Sequence, residues 1–306
     1  MQKFLYLIFL FLFFVEIHSQ PLKIVRPIAK ETPKFEITFD YRMSNASVYY
    51  DSSGKSQSRL QDTVPIYRND TLWGYKQYTF QLVRYFFVPG LKWQPNGKFN
   101  ISANLVLAYS TYEEKYTYDT NYRQYYRADF NKFQAESFNL DAEYFLQTGR
   151  TNLSVLGGIS TPFGFHRGQN DPKYDFLCDG AFEFNLGAKF RQIFKSSNFE
   201  LASIYNWRDE DLKPRFIFSS QLGFTSVPGT EISVKGRYFL PIGNNDRLPP
   251  FDVRRRPLNE EAVQIGANFR ILFENNIFLH AGYMIYAAGK NTLGTGTFNL
   301  LVGYSF

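Results

Sequence analysis

Phe182-Glu183-Phe184-Asn185-Leu186-Gly187-Ala188-Lys189-Phe190-Arg191 sets an apolar side chain at every even position and a polar or small one at every odd position. Successive side chains on a β-strand point to opposite faces. As a strand, this segment has one oily face and one charged face. As a helix, it would scatter Glu183, Lys189 and Arg191 among the phenylalanines. The same alternation recurs along the chain. Ile37, Phe39, Tyr41 and Met43 oppose Glu36, Asp40 and Arg42; Phe138, Leu140, Ala142, Tyr144 and Leu146 oppose Asn139, Asp141 and Glu143. Phe99 to Tyr109, Leu153 to Ile159, Phe199 to Trp207, Phe216 to Phe224, Ile232 to Leu240, Val263 to Ile271, Ile277 to Ile285 and Phe298 to Phe306 repeat it. The segment 76–87 is less regular, because Arg84 falls in phase with Tyr78, Phe80 and Leu82. Either a β-bulge turns Val83, Tyr85 and Phe87 outward, or Arg84 snorkels at a membrane edge.

Twelve such strands are predicted. Their connections alternate in length. Short ones fall at 88–98, 149–152, 195–198, 226–230 and 274–276, with turn chemistry such as Asn96-Gly97 and Pro228-Gly229. Long ones fall at 44–75, 111–134, 160–180, 208–214, 241–261 and 286–296. An even number of antiparallel strands, with short turns at one end and long loops at the other, is the pattern of a closed transmembrane β-barrel. Lipid offers the backbone no hydrogen-bond partners, so only helices and closed barrels cross it. The fold expected for 36–306 is therefore an all-β, closed antiparallel transmembrane barrel with short periplasmic turns and long extracellular loops. Arg84 apart, the outward face is read as free of charge. Tyr109, Tyr144, Tyr205, Trp207, Tyr238, Tyr283 and Tyr304 lie near strand ends, where an aromatic girdle belongs.

Composition agrees. Aromatics make up 19% of the 306 residues, more than a soluble core requires. Cys178 is the single cysteine, which excludes a disulfide framework and, with three histidines, a structural zinc site. The net charge of +6 does not gather into a nucleic-acid motif, and no nucleic-acid partner is expected. The chain opens with Met1-Gln2-Lys3 and an unbroken apolar run of twelve residues, Phe4 to Val15. That is short of the roughly 20 residues of a membrane-spanning helix. It reads as a secretory signal peptide, 1–19, cut between Ser19 and Gln20. Residues 20–35, with Pro21, Pro27 and Pro33, read as a short periplasmic extension.

The last strand, Phe298-Asn-Leu-Leu-Val-Gly-Tyr-Ser-Phe306, resembles the C-terminal signature of bacterial outer-membrane β-barrel proteins, with its terminal aromatic Phe306 and Tyr304 two residues before. The mature chain as a whole resembles single-domain outer-membrane barrels of uncharacterised, domain-of-unknown-function families. The resemblance implies recognition by the barrel-assembly machinery through Tyr304 and Phe306, and residence in the outer membrane of a Gram-negative cell. It implies no activity.

The inward face supplies the functional candidates. Asp141, Glu143, Glu183, Lys189, Arg191, Glu200, Lys235, Arg237, Arg270 and His280 are read as lining the lumen, with Glu36, Asp40 and Arg42. Two functions follow. A polar lumen of this size suits a passive, porin-like channel for small solutes, with a mild preference for anions from a surplus of bases assigned to the periplasmic half. Alternatively, acids and bases pair and close the lumen, leaving a structural or surface-binding barrel. No enzyme, cofactor or metal is expected. His280 lacks a neighbouring serine, and His166, with Asp171, Asp175 and Asp179, fits neither a rim protease nor a calcium loop. The tyrosines 112, 116, 118, 122, 125 and 126 read as continuations of two strands above the membrane or as a binding surface. Arg254-Arg255-Arg256 suits contact with lipopolysaccharide phosphates, so lipid and lipopolysaccharide are the expected partners.

Overall fold

The computed structural model describes residues 35–50, 54–57, 60–68, 71–118, 126–163, 182–208, 214–225, 227–243, 261–273, 276–290 and 292–306. The segment 1–19 read as a signal peptide, residues 20–34, Tyr122, Tyr125, His166, Asp171, Asp175, Cys178, Asp179 and Arg254 to Arg256 lie outside these.

Alternating segments with no partner of their own must find one in a neighbour. Here they do so in sequence around a ring. The strands are β1 (Phe35–Tyr50), β2 (Ser56–Gln57), β3 (Leu60–Arg68), β4 (Thr71–Asn96), β5 (Phe99–Tyr118), β6 (Tyr126–Gln147) and β7 (Thr151–Pro162). They continue as β8 (Glu183–Ile193), β9 (Ser197–Arg208), β10 (Arg215–Phe224), β11 (Thr230–Pro241), β12 (Glu261–Leu272), β13 (Ile277–Lys290) and β14 (Thr292–Ser305). Every pairing is antiparallel. β1 pairs with β14 on one side and β4 on the other, which closes twelve of the strands into a barrel. The other two lie outside the ring: β2 adds a two-residue ladder to β1, and β3 pairs with the outer part of β4.

Several strands outrun the sequence reading. β4 continues to Asn96, so the turn assigned to 88–98 shrinks to Gly97 and Lys98. β5 and β6 pair from Phe99↔Tyr144 to Tyr116↔Tyr126, so most of the loop assigned to 111–134 is ladder, as the strand-continuation reading of the tyrosines expects. β13 and β14 leave only residue 291 of 286–296 outside strands, and β1 takes in Phe35. Alternation reports where one face is oily; a ladder that leaves the membrane keeps its hydrogen bonds and loses that signal.

The ring carries the apolar positions outward. Ile37, Leu186 and Val234 are 52%, 52% and 58% exposed, a surface that would aggregate in water. Glu261 and Lys290 are an outward ion pair at the outer end of β12 and β13, where the Tyr238 hydroxyl donates to Glu261 at 2.9 Å. At the opposite end Phe35 and Phe306 exchange backbone hydrogen bonds of 3.1 and 3.0 Å. Their rings stack, flanked by Trp93 and Tyr304. The terminal aromatics thus sit on the seam that closes the barrel.

The strands are staggered. Starting from Glu36 near the beginning of β1, directly paired residues run Lys92, Ser102, Asp141, Gly158, Asn185, Asn206, Arg215 and Pro241. The row starts at the short-turn end of β1 and reaches the outer end of β11. A closed barrel requires such a shear, with strands tilted by roughly 35–45°. Residues near the short-turn ends of β4 to β6 therefore share a band with residues near the outer ends of β8 to β11.

Arg84 settles the irregular segment. β4 pairs with β1 in unbroken register from Phe35↔Trp93 to Ala46↔Leu82, and Arg84 faces the lumen opposite Ser44. Val83, Tyr85 and Phe87 point outward without a bulge in that stretch of β4. The bulge lies instead in β6, where Val106↔Ser137 is followed by Leu107↔Ala135 and Glu136 is the extra residue. Neither snorkelling nor a β4 bulge is needed.

Candidate functional site

The inner wall is built from the charged half of each strand. Register puts Glu36, Asp40 and Arg42 of β1, Asp141 and Glu143 of β6, Glu183, Lys189 and Arg191 of β8, and Glu200 of β9 on the face opposite the exposed apolar set. Lys235 and Arg237 of β11, Arg270 of β12 and His280 of β13 stand on that same face. Arg270 is paired directly with Glu231 on one side and His280 on the other, and its guanidinium lies 5.3 Å from the Phe278 ring centroid.

Few of these charges meet. Lys189 bridges Glu143 at 2.5 Å, and the Ser154 hydroxyl donates to the same carboxylate oxygen at 2.7 Å. Asp40 accepts from Arg42 at 2.6 Å. Asp141, Glu183, Arg191, Glu200, Lys235, Arg237, Arg270 and His280 form no ion pair among the described residues. Arg191 and Glu200 are direct cross-strand partners, yet they do not bridge. Among the described residues, pairing of inward acids and bases is limited to the Lys189–Glu143 and Arg42–Asp40 contacts and Arg84–Glu136, short of the lumen-wide pairing in the alternative read from the sequence.

Between β4 and β11 the inner wall leaves a cavity of about 490 Å³. Lys92, Asp141, Glu143, Glu183 and Arg237 line it, with Asn100, Ser102, Asn185, Asn206 and Ser219 between them. Polar contacts fix part of this lining. Asn206, 1% exposed, donates to Glu183 at 3.1 Å and to Asn185 at 2.8 Å, and accepts from Arg215 Nε at 2.9 Å. Arg215 and Arg237 lie 5.0 and 6.0 Å from the ring centroid of the inward Phe239, a cation–π pair on one ring. The shear corrects the assignment of depth: Arg237 lines the same cavity as Glu183 at the outer end of β8 and Asp141 of β6. Position along a strand is therefore a poor guide to which charges share a level.

Sequence reading missed the pair with the lowest exposure. Arg84 Nη2 bonds Glu136 Oε1 at 2.9 Å, and both side chains are 10% exposed or less. Arg84 Nε donates to Ser110 at 3.3 Å, and its guanidinium lies 4.7 Å from the Phe86 centroid. The signal for Glu136 was present as a change of phase. Apolar Phe138 and Leu140 are even-numbered, whereas outward Phe133 and Ala135 are odd. Also missed were Lys92, Glu231 and Arg215, which fall on the inner face beyond the ends of the segments whose alternation was scored.

No protein-family model matches the chain, and no curated protein matches it in sequence. Solved structures do. An outer-membrane channel from Pseudomonas putida F1 superposes with a TM-score of 0.56 at 14% identity, covering 91% of this chain and 97% of that one. The transport unit of the autotransporter AIDA-I from Escherichia coli follows at 0.48, 8% identity and 95% and 96% coverage. The KdgM porin in complex with disordered oligogalacturonate gives 0.45 at 8% identity, with 88% and 99% covered. The likeness extends over nearly the whole of each chain and is one of fold: this protein is a closed twelve-stranded antiparallel β-barrel of the outer-membrane type.

Proposed function

We propose that the barrel is a passive, porin-like channel that carries small hydrophilic solutes across a bacterial outer membrane, to which a cleaved signal peptide exports it. The carrying observation is the set of inward charges without ion-pair partners among the described residues, from Asp141 and Glu183 to Arg237 and Arg270. An unpaired charge in a dry interior costs several kcal/mol, of the order of ~3–5 when one partner of a buried pair is missing. So many of them are tolerable only against water, and a hydrated lumen open along its length conducts. The role assigns no catalytic chemistry to His280 and no metal or cofactor. Lipid and lipopolysaccharide surround the outer face, and Tyr304 and Phe306 serve the barrel-assembly machinery.

The competing reading is a non-conducting barrel. It draws support from the outer part of β1, β4, β5 and β6, where Ala46, Leu82, Ala108, Ser110 and Tyr112 on the inner face are all less than 9% exposed. Refolded mature protein in a planar bilayer separates the two. Steady single-channel steps, with a reversal potential in a salt gradient, support the channel. Silence from protein that circular dichroism reports as folded β overturns it.

A further inference from the structure

The cavity between β4 and β11 has an uncommon charge arrangement. Glu143 is neutralised by Lys189, which leaves Asp141 and Glu183 as its acids and Lys92 and Arg237 as its bases. The counts balance, but the charges do not touch. Asp141 stands on β6 and Arg237 on β11, five strand steps of about 4.8 Å apart along the wall. Glu183 accepts from Asn206 and has no cation partner among the described residues. Arg237 stands beside the Phe239 ring, 6.0 Å from its centroid, and forms no ion pair among the described residues. Along the wall the order is Lys92 on β4, Asp141 on β6, Glu183 on β8 and Arg237 on β11, so the two carboxylates and Arg237 occupy separate parts of the cavity. The Asn and Ser side chains between them can hydrogen-bond a solute but fix no charge.

We infer that this cavity selects small zwitterions, from amino-acid to dipeptide size, with the solute's carboxylate toward Arg237 and its ammonium toward Asp141 and Glu183. The inference rests on the channel reading and narrows it. A simple anion meets two carboxylates in the same space, and a simple cation meets Lys92 and Arg237; only a solute carrying both charges satisfies both. A volume of about 490 Å³ equals that of roughly sixteen waters at about 30 Å³ each, which accommodates a dipeptide with part of its hydration.

Swelling of proteoliposomes containing the full folded barrel tests this with two probes of similar size, glycylglycine and neutral N-acetylglycinamide. Glycylglycine is expected to enter about threefold faster, the scale of a solvent-screened ion pair. In Arg237→Gln and in Glu183→Gln the ratio of the two rates is expected to fall to about one. The exchange Glu183→Arg with Arg237→Glu keeps both charges in the cavity and is expected to restore the ratio. Gel migration with and without heating establishes that each variant is folded. Equal entry of both probes into wild-type vesicles overturns the zwitterion inference and leaves the channel standing, with hydroxyl-rich neutral solutes as its cargo. A ratio unchanged in both single variants overturns the assignment to these residues. Entry of neither probe overturns the channel and the inference together.

Discussion

Two groups of inward charges in the same barrel have opposite fates. On the outer part of β4 and β6, Arg84 and Glu136 close on each other at 2.9 Å, are covered to 10% exposure or less, and take further support from Ser110 and Phe86. In the cavity bounded by β6, β8 and β11, Asp141, Glu183 and Arg237 remain apart around about 490 Å³. The residue types are the same. The bulge at Glu136 pushes one extra carboxylate inward, opposite a guanidinium two strands away, whereas Asp141, Glu183 and Arg237 stand on regular stretches of ladder and form no ion pair among the described residues. Charge within this lumen is thus either engaged in an ion pair, as at Arg84–Glu136 and Lys189–Glu143, or left facing the cavity.

That contrast can be broken from either side. The largest effect is expected from Glu136→Ala, which strands a buried guanidinium and should cost about 3 kcal/mol, read as a lower urea midpoint for loss of β signal. Deleting Glu136 outright should leave the β5–β6 ladder regular and be equally destabilising, because the loss lies in the ion pair and not in the strand. Pairing Arg84→Met with Glu136→Leu should recover most of the stability, since apolar replacement of a buried pair is often neutral. A single variant no less stable than wild type would mean that the pair is solvated after all.

A smaller change is expected in the cavity. Arg237→Gln should leave the unfolding midpoint within about 0.5 kcal/mol of wild type, as for a solvated surface position, and should move the reversal potential toward cations. A shift toward anions would place Arg237 outside the conducting path. Raising salt from about 0.1 to 1 M shortens the screening length from about 10 to 3 Å, and should erase most of that difference. A small effect, on stability alone, belongs to Lys189→Met. Its bridge to Glu143 is partly exposed at 24% and 16%, so the cost is about 0–1 kcal/mol, and a drop as large as that of Glu136→Ala would place this pair in the dry class too.

The fold was legible because alternation is a local property. Each strand from Ile37 to Phe306 announces its oily face without reference to any other, and the ten inward candidates from Asp141 to His280 follow from parity alone. Arg84 was the exception that carried information, because a charge out of phase in one strand was answered by a bulge in another. Loop lengths were less legible. Tyr116↔Tyr126 and the ladder to Lys290 extend beyond the region where one face must be apolar, so the periodic signal fades while the pairing continues.

By itself, the amino-acid sequence determined the class of fold and the face taken by the side chains of the regular strands, since each rests on neighbours two residues apart. Only the tertiary structure decided which charges meet. The row from Glu36 through Asp141 and Asn206 to Pro241 is set by the shear of the closed ring. The meeting of Arg84 with Glu136 depends on one bulged residue, and the separation of Arg237 from Asp141 on five intervening strand steps. Shear and bulges arise from closing twelve tilted ladders on one another, and no single strand's pattern carries them.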